Sequence, residues 1–367
     1  MSHTSRKTQA IINLTALKEN YQVIDNLAKS SATIAVLKAD AYGHGAIEIA
    51  KSIDHLVPAF AVAFIDEAII LRDAGVQSPI LILEGPLAKS DFTFALLHNF
   101  WLMLHNHDQL TWLMKQKSPY LGKLWLKVDT GMNRLGFMPE QVAEIIPKIM
   151  SKLLPAQQKE FVLCSHFSNA EDIRNPKTIN QIQRFDLLCN EHNSLTSLAN
   201  SAGILHWPES HRDFNRLGIA LYGINPIEPN NRNSDKDISL KPVMTLQSII
   251  IGLRTLAKGD CVGYGETWQA KRSSIIATVA IGYADGYPRN AKAGTPVLIN
   301  NQLAPLAGRV SMDMITVDVT ELGQVKLGDN VELWGENLPV ELIAEYVDTI
   351  SYELLTRVST RLPRKYR

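Results

Sequence analysis

Polar and charged groups follow several short apolar runs in the first two-thirds of the sequence, and they have the chemistry of an anion-binding site with a nucleophile. A lysine, an arginine, a histidine and a hydroxyl are groups that bind carboxylates and phosphates. A lysine where an apolar strand opens into a cleft is partly desolvated, and such amines form Schiff bases with carbonyl cofactors. By position alone, an ordinary lysine with a solvated amine is the alternative. The groups are Lys38, the stretch from Asp129 to Arg134, His166 and Asn200–Ser201.

The apolar runs alternate with stretches of helical periodicity, such as 45–53 and 65–74, in which apolar residues recur at three- and four-residue steps. Eight strand–helix units in about 230 residues predict an α/β fold, a TIM-like (β/α)8 barrel, rather than an open doubly wound sheet. Active-site groups of such barrels lie at the C-terminal ends of the strands. The predicted strands are 33–37, 60–63, 80–83, 101–104, 124–128, 161–165, 196–199 and 212–216.

The pattern changes after Gly223. Residues 225–237 are rich in Asn, Pro and Asp, which is typical of a linker. The sequence therefore predicts a barrel domain at 1–235 and a mostly β C-terminal domain at 236–367. In the second domain we expect one helix at 340–352 and strands at 243–253, 274–281, 296–299, 314–319 and 330–334.

The bulk composition narrows the class of partner. Lysine plus arginine and aspartate plus glutamate both total 37, so the formal net charge is zero and a nucleic-acid partner is not favoured. The basic tail 361–367 is expected to be a short solvated end. The 3 cysteines show no CxxC spacing, which argues against disulfides and a metal site. No secretion signal and no apolar run of the roughly 20 residues that span a bilayer is evident, so we expect a cytoplasmic protein without a membrane partner.

Segments spread over nearly the whole chain resemble the motifs of alanine racemases. Segment 36–45 (VLKADAYGHG) is similar to the motif around the cofactor lysine, and segment 127–136 (KVDTGMNRLG) to a second motif. Because the matches occur in order along the chain, together they are specific, and the chain is identified as a member of this family. The further matches are 166–170 (HFSNA), 199–203 (ANSAG), 216–223 (RLGIALYG), 263–267 (GYGET), 282–286 (GYADG) and 308–313 (GRVSMD).

The resemblance implies a pyridoxal-phosphate-dependent isomerase that interconverts L-alanine and D-alanine with two bases. Lys38 would hold the pyridoxal 5'-phosphate and act on one face of the substrate Cα. Racemisation needs a second group on the opposite face, and the family has a tyrosine at the position of Tyr264. His166 and Arg216 would support that phenol.

Cofactor-binding residues also follow from the resemblance. Arg216 would face the pyridine nitrogen and keep it largely unprotonated, which weakens the electron sink and limits side reactions; an ion pair with Asp213 is the alternative. Some members carry a histidine at the position of Ser197, beside that arginine. The phosphate would be bound by Ser201, by the backbone N–H groups of Gly218 and Ile219, and by Tyr42 and Tyr352, the last of which is otherwise a core residue.

The substrate carboxylate would be bound by Arg134 and the backbone N–H of Met312. Lys127 occupies the position of a lysine that family members often carry as a carbamate, so either carbamylation or another anion is expected beside Arg134. Three residues, Tyr283, Arg289 and Arg309, resemble the substrate access channel; a solvated basic surface is the alternative.

In the family, the β domain of one subunit completes the barrel site of the other, which implies a homodimer with shared active sites. The alternatives are a decarboxylase of the same architecture, a broad-specificity or serine racemase, and a non-catalytic pyridoxal-phosphate-binding protein built from a lone barrel. The reaction would either supply D-alanine for peptidoglycan or consume it in catabolism.

Overall fold

A computed structural model describes residues 6–227 and 238–367, which pack as two compact units. The barrel unit comprises the described residues of Lys18–Ala41 and Ala46–Leu240. The C-terminal unit combines the described residues of Met1–Leu17 with Tyr42–Gly45 and Lys241–Arg367. The predicted boundary between residues 235 and 236 lies outside the described residues.

The first strand, β1 (Gln9–Ile12), belongs to the C-terminal unit. The next eight strands are parallel and close a barrel, so the predicted (β/α)8 fold is confirmed. Closure is made by β2 against β9, where Ala32 pairs with Phe214. Most of these strands are continuous apolar runs, because helices cover the outside of a parallel barrel. They are β2 (Ala32–Val36), β3 (Phe60–Val62), β4 (Ile80–Ile82), β5 (Trp101–Leu104), β6 (Leu124–Lys127), β7 (Val162–Cys164), β8 (Leu195–Ser197) and β9 (Phe214–Leu217).

Helices connect the barrel strands. In α7, for example, Val142, Ile145, Ile146 and Ile149 are buried at three- and four-residue steps, which gives the helix one apolar face. The helical segments of the first 227 residues are α1 (Leu14–Leu27), α2 (Lys38–Gly43), α3 (Ala46–Ile53), α4 (Ile65–Asp73), α5 (Lys89–Leu97), α6 (His107–Met114), α7 (Val142–Met150), α8 (Pro155–Gln158), α9 (Pro176–Glu191) and α10 (Ser201–His206). No helix in the described ranges is both long and apolar enough to cross a bilayer.

Aromatic side chains fill one end of the barrel. The ring of Trp125 lies 5.2 Å from that of Phe214 and 6.3 Å from that of Trp101, measured between centroids. Lys123 lies 4.5 Å above the Trp101 ring. These residues come from the early parts of their strands, so the C-terminal strand ends remain for the polar residues of a site.

The C-terminal unit is built on a mixed sheet of order β15-β14-β17-β10-β1-β18, in which β13 also pairs with β10 and β16. The N-terminal strand β1 lies between β10, to which it is antiparallel, and β18, to which it is parallel. Besides β1, the strands and α-helices of the C-terminal unit are β10 (Met244–Leu256), β11 (Cys261–Val262), β12 (Trp268–Gln269), β13 (Ser274–Val279), β14 (Pro296–Ile299), β15 (Gln302–Pro305), β16 (Ile315–Asp318), β17 (Asn330–Trp334), β18 (Arg364–Tyr366), α11 (Val340–Tyr346) and α12 (Ser351–Thr356).

Three sequence-based expectations for the C-terminal unit need correction. The sequence places β1 in the barrel domain, but β1 belongs to the C-terminal sheet, where it pairs with β10 on one side and β18 on the other. The basic end is solvated at Arg361, Lys365 and Arg367, as expected, but it is more than a loose end, because residues 364–366 form the strand β18 of that sheet. The single helix 340–352 is two helices, because Asp348 takes a left-handed conformation with φ 54° and breaks it.

Candidate active site

The C-terminal strand ends of the barrel unit carry most of the residues that the sequence singled out. Lys38 lies just beyond β2, Lys127 is the last residue of β6, and His166 lies just beyond β7. Burial and four nearby cations lower the pKa of His166 well below its ordinary value, so its imidazole is neutral. The cations, in order of influence, are Arg216, Lys127, Arg134 and Lys38. These five residues are called the barrel mouth below.

Arg216 is held by hydrogen bonds from both ends of its guanidinium group. Nη1 donates to the Ser197 hydroxyl, and Nη2 donates to the Ser165 carbonyl at 2.7 Å and to His166 Nδ1 at 3.2 Å. Because His166 Nδ1 accepts, the proton of the neutral ring is on Nε2. Ser197 thus contacts the guanidinium at the position where some family members carry histidine.

The alternative pairing of Arg216 with Asp213 is wrong. Asp213 Oδ2 instead accepts hydrogen bonds from the backbone N–H of Thr196 at 2.7 Å and from its hydroxyl at 2.9 Å. Asp213 lies before β9 and Arg216 lies within it, and the two side chains form hydrogen bonds with different residues.

Ser201 is positioned by the backbone that follows β9. Its hydroxyl oxygen accepts from the N–H groups of Gly218 at 2.9 Å and Ala220 at 3.3 Å. With two donors on the oxygen, the hydroxyl proton remains available for another acceptor. Ile219 begins a short 3-10 helix here, and the first N–H groups of a helix lack partners within it. Ser201, Gly218 and Ile219 are thus brought together.

Asp129 holds the loop that carries Arg134. Its Oδ1 accepts from the N–H groups of Gly131 at 2.8 Å and Met132 at 2.9 Å, and its Oδ2 accepts from that of Arg134 at 3.1 Å. Asp129 is buried, whereas Arg134 is exposed. The carboxylate therefore fixes the backbone of an arginine whose side chain is accessible.

Lys127 is buried, and burial lowers the pKa of its amine. Cys164 and Glu84 oppose this shift, while Arg216 and Arg134 add to it. A lowered pKa raises the fraction of neutral amine, which is the form that reacts with carbon dioxide. Among the salt bridges of the described ranges, none involves Lys38, Lys127, Arg134 or Arg216.

The turn after Lys38 is left-handed. Residues Ala39 to Tyr42 all have φ of 53–54°, and Gly43 follows with φ 81°. A left-handed conformation costs a non-glycine residue roughly 1–2 kcal/mol, so neighbouring groups must hold this turn. In the C-terminal unit, the rings of Tyr42 and Tyr352 lie 6.1 Å apart, and burial raises the pKa of Tyr42 above its ordinary value.

Tyr264 lies on an exposed surface of the C-terminal unit. It is 69% exposed and stands between Gly263 and Gly265, whose φ values of 72° and 73° favour glycine. A Cβ on Gly265 would lie 3.4 Å from the guanidinium carbon of Arg309, so the tyrosine turn and Arg309 are neighbours.

A second turn joins the same unit's residues 283 and 312. The N–H of Tyr283 donates to the Ser311 carbonyl and that of Ala284 to the Met312 carbonyl, each at 3.0 Å. Tyr283 and Met312 are both exposed. Arg289 is exposed too, but no described contact links it to them.

A carboxylate network that sequence reasoning missed supports this second turn. Asp285 is fully buried and accepts from Arg6 Nη1 at 2.8 Å, from Arg361 Nε at 2.6 Å and from the Gly282 N–H at 3.0 Å. Burial alone would raise the pKa of Asp285, but these hydrogen bonds hold it below its ordinary value. Arg361 also donates to Asp313 at 2.6 Å. We call these four charged residues, Arg6, Asp285, Asp313 and Arg361, the Asp285 network.

Comparison with known proteins decides the family. The model of the alanine racemase N-terminal domain matches residues 12–226, and that of the alanine racemase C-terminal domain matches residues 243–366. The chain belongs to the alanine racemase family. An alanine racemase from Alteromonas mediterranea is 45% identical over 360 residues, which cover 98% of each chain.

Solved alanine racemases have the same fold. The biosynthetic alanine racemase from Pseudomonas aeruginosa is 40% identical over 99% of both chains, with a TM-score of 0.92. That from Bartonella henselae, solved with covalently bound pyridoxal phosphate, is 31% identical over 99% of this chain and 100% of its own, with a TM-score of 0.89. The chain is therefore an enzyme of the isomerase class. Because an alanine racemase C-terminal domain is present, the alternative of a lone-barrel binding protein is wrong.

Proposed function

We propose that this enzyme interconverts L-alanine and D-alanine with pyridoxal 5'-phosphate, using Lys38 and Tyr264 as opposing bases. The observation that carries the proposal is the barrel mouth, where four cations act on the neutral ring of His166 and none of the four is in a salt bridge within the described residues. The phosphate of the cofactor and the carboxylate of the substrate together supply the missing negative charge. Relatives and solved structures that cover nearly the whole chain are named alanine racemase, which supports the substrate.

The donor set fits the cofactor. When bound, pyridoxal phosphate supplies an electron sink that makes the substrate Cα–H bond acidic. We assign its phosphate to the hydroxyl proton of Ser201 and to the N–H group of Ile219, with Tyr42 and Tyr352 as further donors. The N–H group of Gly218, which donates to the Ser201 oxygen in the single chain, would be shared with the phosphate. A glycine suits the position because a side chain there would keep the phosphate from the backbone.

We assign the pyridine nitrogen to Arg216. Its guanidinium group is buried, and its hydrogen bonds to Ser197, Ser165 and His166 fix its orientation. Because the pKa of an arginine side chain is above 12, Arg216 can hydrogen-bond to a pyridine nitrogen but does not transfer a proton to it. Arg216 would therefore hold the ring without protonating it, which limits the lifetime of carbanionic species.

Arg134 would bind the substrate carboxylate, with the backbone N–H of Met312 as a second donor. The support is that Asp129 fixes the Arg134 backbone while leaving its guanidinium accessible. Lys127 would carry a carbamate, which converts a like charge beside Arg134 into an opposite one. The lowered pKa of Lys127 favours that reaction. Tyr283, Arg289 and Arg309 would line the access channel and attract the substrate carboxylate.

Lys38 and Tyr264 would each hold or release one proton at the substrate Cα. The test is Tyr264→Phe with solvent deuterium exchange at Cα measured from each enantiomer. We expect racemisation to collapse while exchange persists from one enantiomer only, because Lys38 still serves its own face. An equal loss of exchange from both enantiomers would contradict the two-base assignment.

We also propose a homodimer in which the Tyr264 surface of one copy completes the barrel mouth of the other. The support is that Tyr264, Tyr283 and Met312 are all exposed in the single chain. Mixing two inactive variants, Lys38→Ala and Tyr264→Phe, tests this. A shared site predicts that activity returns, because a mixed dimer has one site with both native bases. No return of activity in a mixture shown to exchange subunits would exclude the shared site.

A further inference from the structure

Glu67 makes three backbone hydrogen bonds and connects two strand ends of the barrel unit. Its Oε2 accepts from the N–H groups of Ala63 at 2.8 Å and Phe64 at 3.2 Å, at the start of α4. Its Oε1 accepts from the N–H of Ala39 at 2.7 Å. Ala39 is the residue after Lys38 and the first left-handed residue of α2.

The first of these oxygens has an ordinary role, which the chain itself illustrates. A side-chain oxygen three residues into a helix often accepts from the backbone N–H groups at its start. In this chain one oxygen is enough for that, and an amide supplies it as well as a carboxylate. The comparable bonds are His105 N–H to Gln109 Oε1 at 2.8 Å, Met138 N–H to Gln141 Oε1 at 2.9 Å, Leu154 N–H to Gln157 Oε1 at 2.9 Å, and Leu87 and Ala88 N–H to Asp91 Oδ2 at 2.8 and 2.9 Å.

The second oxygen of Glu67 has no such explanation in the helix. The cap uses only Oε2, so Oε1 can accept another hydrogen bond. A carboxylate has this second acceptor oxygen, whereas an amide does not. Its partner is the Ala39 N–H, one of the first N–H groups of a helical turn, which lack an acceptor within the turn. Glu67 therefore supplies an acceptor at the point where the chain leaves Lys38.

That point needs a restraint. Left-handed non-glycine residues are unfavourable, and Ala39 begins a run of four. Farther along, the turn is held by the Ala41 N–H, which donates to Leu37 at 2.8 Å, and by Asp40, which accepts from the Ala46 N–H at 2.7 Å. At its beginning, the hydrogen bond from Ala39 to Glu67 fixes the peptide next to Lys38.

We propose that Glu67 is a positioning residue for Lys38, because its second carboxylate oxygen fixes the start of the left-handed turn and so the direction of the lysine side chain. The inference rests on the proposed function of Lys38. Among the described residues, the hydrogen bonds of Glu67 all come from backbone N–H groups, so we assign it no part in proton transfer.

Two variants separate positioning from capping. Glu67→Gln keeps one acceptor oxygen for the helix, as at Gln109, but puts an amide donor where Ala39 needs an acceptor. Glu67→Asp keeps a carboxylate that caps, as Asp91 does, but is one methylene shorter and does not reach Ala39. Asp91→Asn is the matched control, since it makes the same change from carboxylate to amide at the start of the next helix, where the described hydrogen bonds of Asp91 are with Leu87, Ala88 and Ser90.

The readouts are the rate at which cofactor-depleted full-length enzyme links added pyridoxal phosphate to Lys38, and the visible circular dichroism of the bound cofactor. We expect both Glu67 variants to link it about tenfold more slowly, because a misplaced reacting group loses rate steeply. Their dichroism should change, and kcat should fall more than KM rises for both enantiomers. Asp91→Asn should match the wild type in all of these, with the melting temperature of each variant as a check on folding.

Two outcomes overturn different claims. If the wild type forms no link between Lys38 and pyridoxal phosphate, the proposed function fails and this inference fails with it. If the wild type links normally and both Glu67 variants match it in rate and dichroism, only the role of Glu67 is excluded. The same exclusion follows if Asp91→Asn shows the full defect, because exchanging a carboxylate for an amide at the start of a different helix is then enough to cause it.

Discussion

The barrel mouth and the Asp285 network differ in whether their charges are compensated within the chain. At the barrel mouth, Lys38, Lys127, Arg134 and Arg216 influence one histidine, and none of them is in a salt bridge within the described ranges. In the network, a fully buried carboxylate accepts from two arginines and a backbone N–H. The first arrangement leaves positive charge for an outside anion, and the second satisfies its charge internally.

This difference separates residues that serve function from residues that serve the fold. Gathering like charges costs stability, and a protein keeps such a cluster where a ligand compensates it. A buried ion pair instead ties distant segments together, here residues 6, 285 and 361. Neutralising a mouth cation should therefore impair the reaction and spare the fold, whereas neutralising Asp285 should do the reverse.

Replacing Lys38 should have the largest effect. Lys38→Ala removes the proposed cofactor anchor and one base, so we expect racemase activity to fall by about 10⁴-fold or more. The melting temperature of the cofactor-free protein should be unchanged or higher, because one of four like charges is gone. Lys51→Ala, at an exposed lysine on α3, is the control and should leave both quantities unaltered. A Lys38→Ala enzyme with activity within tenfold of the wild type would break the comparison.

Asp285→Asn should have the next largest effect, on stability. Removing one partner of a buried ion pair costs about 3–5 kcal/mol, and we expect the low end because both arginines are partly exposed. Urea unfolding, followed by a probe in the C-terminal unit, measures the loss. Asp313→Asn is the control: it removes the exposed partner of the same Arg361 and should cost less than about 1 kcal/mol. Equal losses for the two variants would show that the buried carboxylate has no special role.

The pH dependence of the same variant follows from the lowered pKa of Asp285. A carboxyl whose folded pKa is depressed stabilises the protein above its unfolded pKa of about 3.9, and the stability is lost as pH falls through the folded pKa. Asp285→Asn should therefore flatten the loss of stability below about pH 4. An unchanged acid-unfolding curve would contradict this.

The barrel could be predicted from the sequence because its strands are buried on both faces. Most of the barrel strands are short apolar runs, and the run 101–104 coincides with β5. The sequence does not predict the strands β1, β15 and β18, because they are not buried on both faces and contain polar residues. β18, for instance, is the polar triplet Arg364–Tyr366, which becomes a strand only because β1 lies beside it.

Residue types at the strand ends could likewise be predicted, but the carboxylates that hold them could not. Glu67, Asp129 and Asp285 each accept backbone N–H groups. An acidic residue in a loop or first helical turn is common and usually solvated, so its type gives no signal. The two arginine partners of Asp285 are also distant in the sequence, since Arg6 lies 279 residues away and Arg361 lies 76 residues away. Only the folded chain brings such groups together.

Arg134 offers a smaller test of the barrel mouth. Arg134→Gln should raise KM for alanine tenfold to a hundredfold, since a hydrogen bond to a charged group contributes about 1.5–3 kcal/mol. Stability should be nearly unchanged because the side chain is exposed. Steady-state kinetics with both enantiomers measure the effect, and Arg254→Gln, at an exposed arginine of β10, is the control. An unchanged KM would remove Arg134 from the proposed carboxylate site.

The smallest effect concerns the neutral histidine of the barrel mouth. The folded pKa of His166 is well below its ordinary value, so the native ring stays neutral while the unfolded chain takes up a proton as pH falls through about 6.5. His166 therefore contributes a loss of stability between about pH 7 and pH 5, up to about 1–2 kcal/mol. His166→Asn keeps an acceptor for Arg216 and should remove that contribution.

Urea unfolding of the cofactor-free chain at pH 7, 6 and 5 measures the difference between wild type and His166→Asn. His211→Asn is a useful second variant, because burial also lowers the pKa of His211 while Glu209 opposes the shift. We expect His211→Asn to flatten the curve less than His166→Asn. Burial is the main cause of the lowered pKa at both residues, but four cations add to it at His166, whereas the Ile204 carbonyl and Glu209 oppose it at His211. If wild type and His166→Asn lost stability in parallel from pH 7 to pH 5, the folded barrel mouth would not be holding the His166 ring neutral. The ring would then give no sign of the uncompensated positive charge that distinguishes the barrel mouth from the Asp285 network.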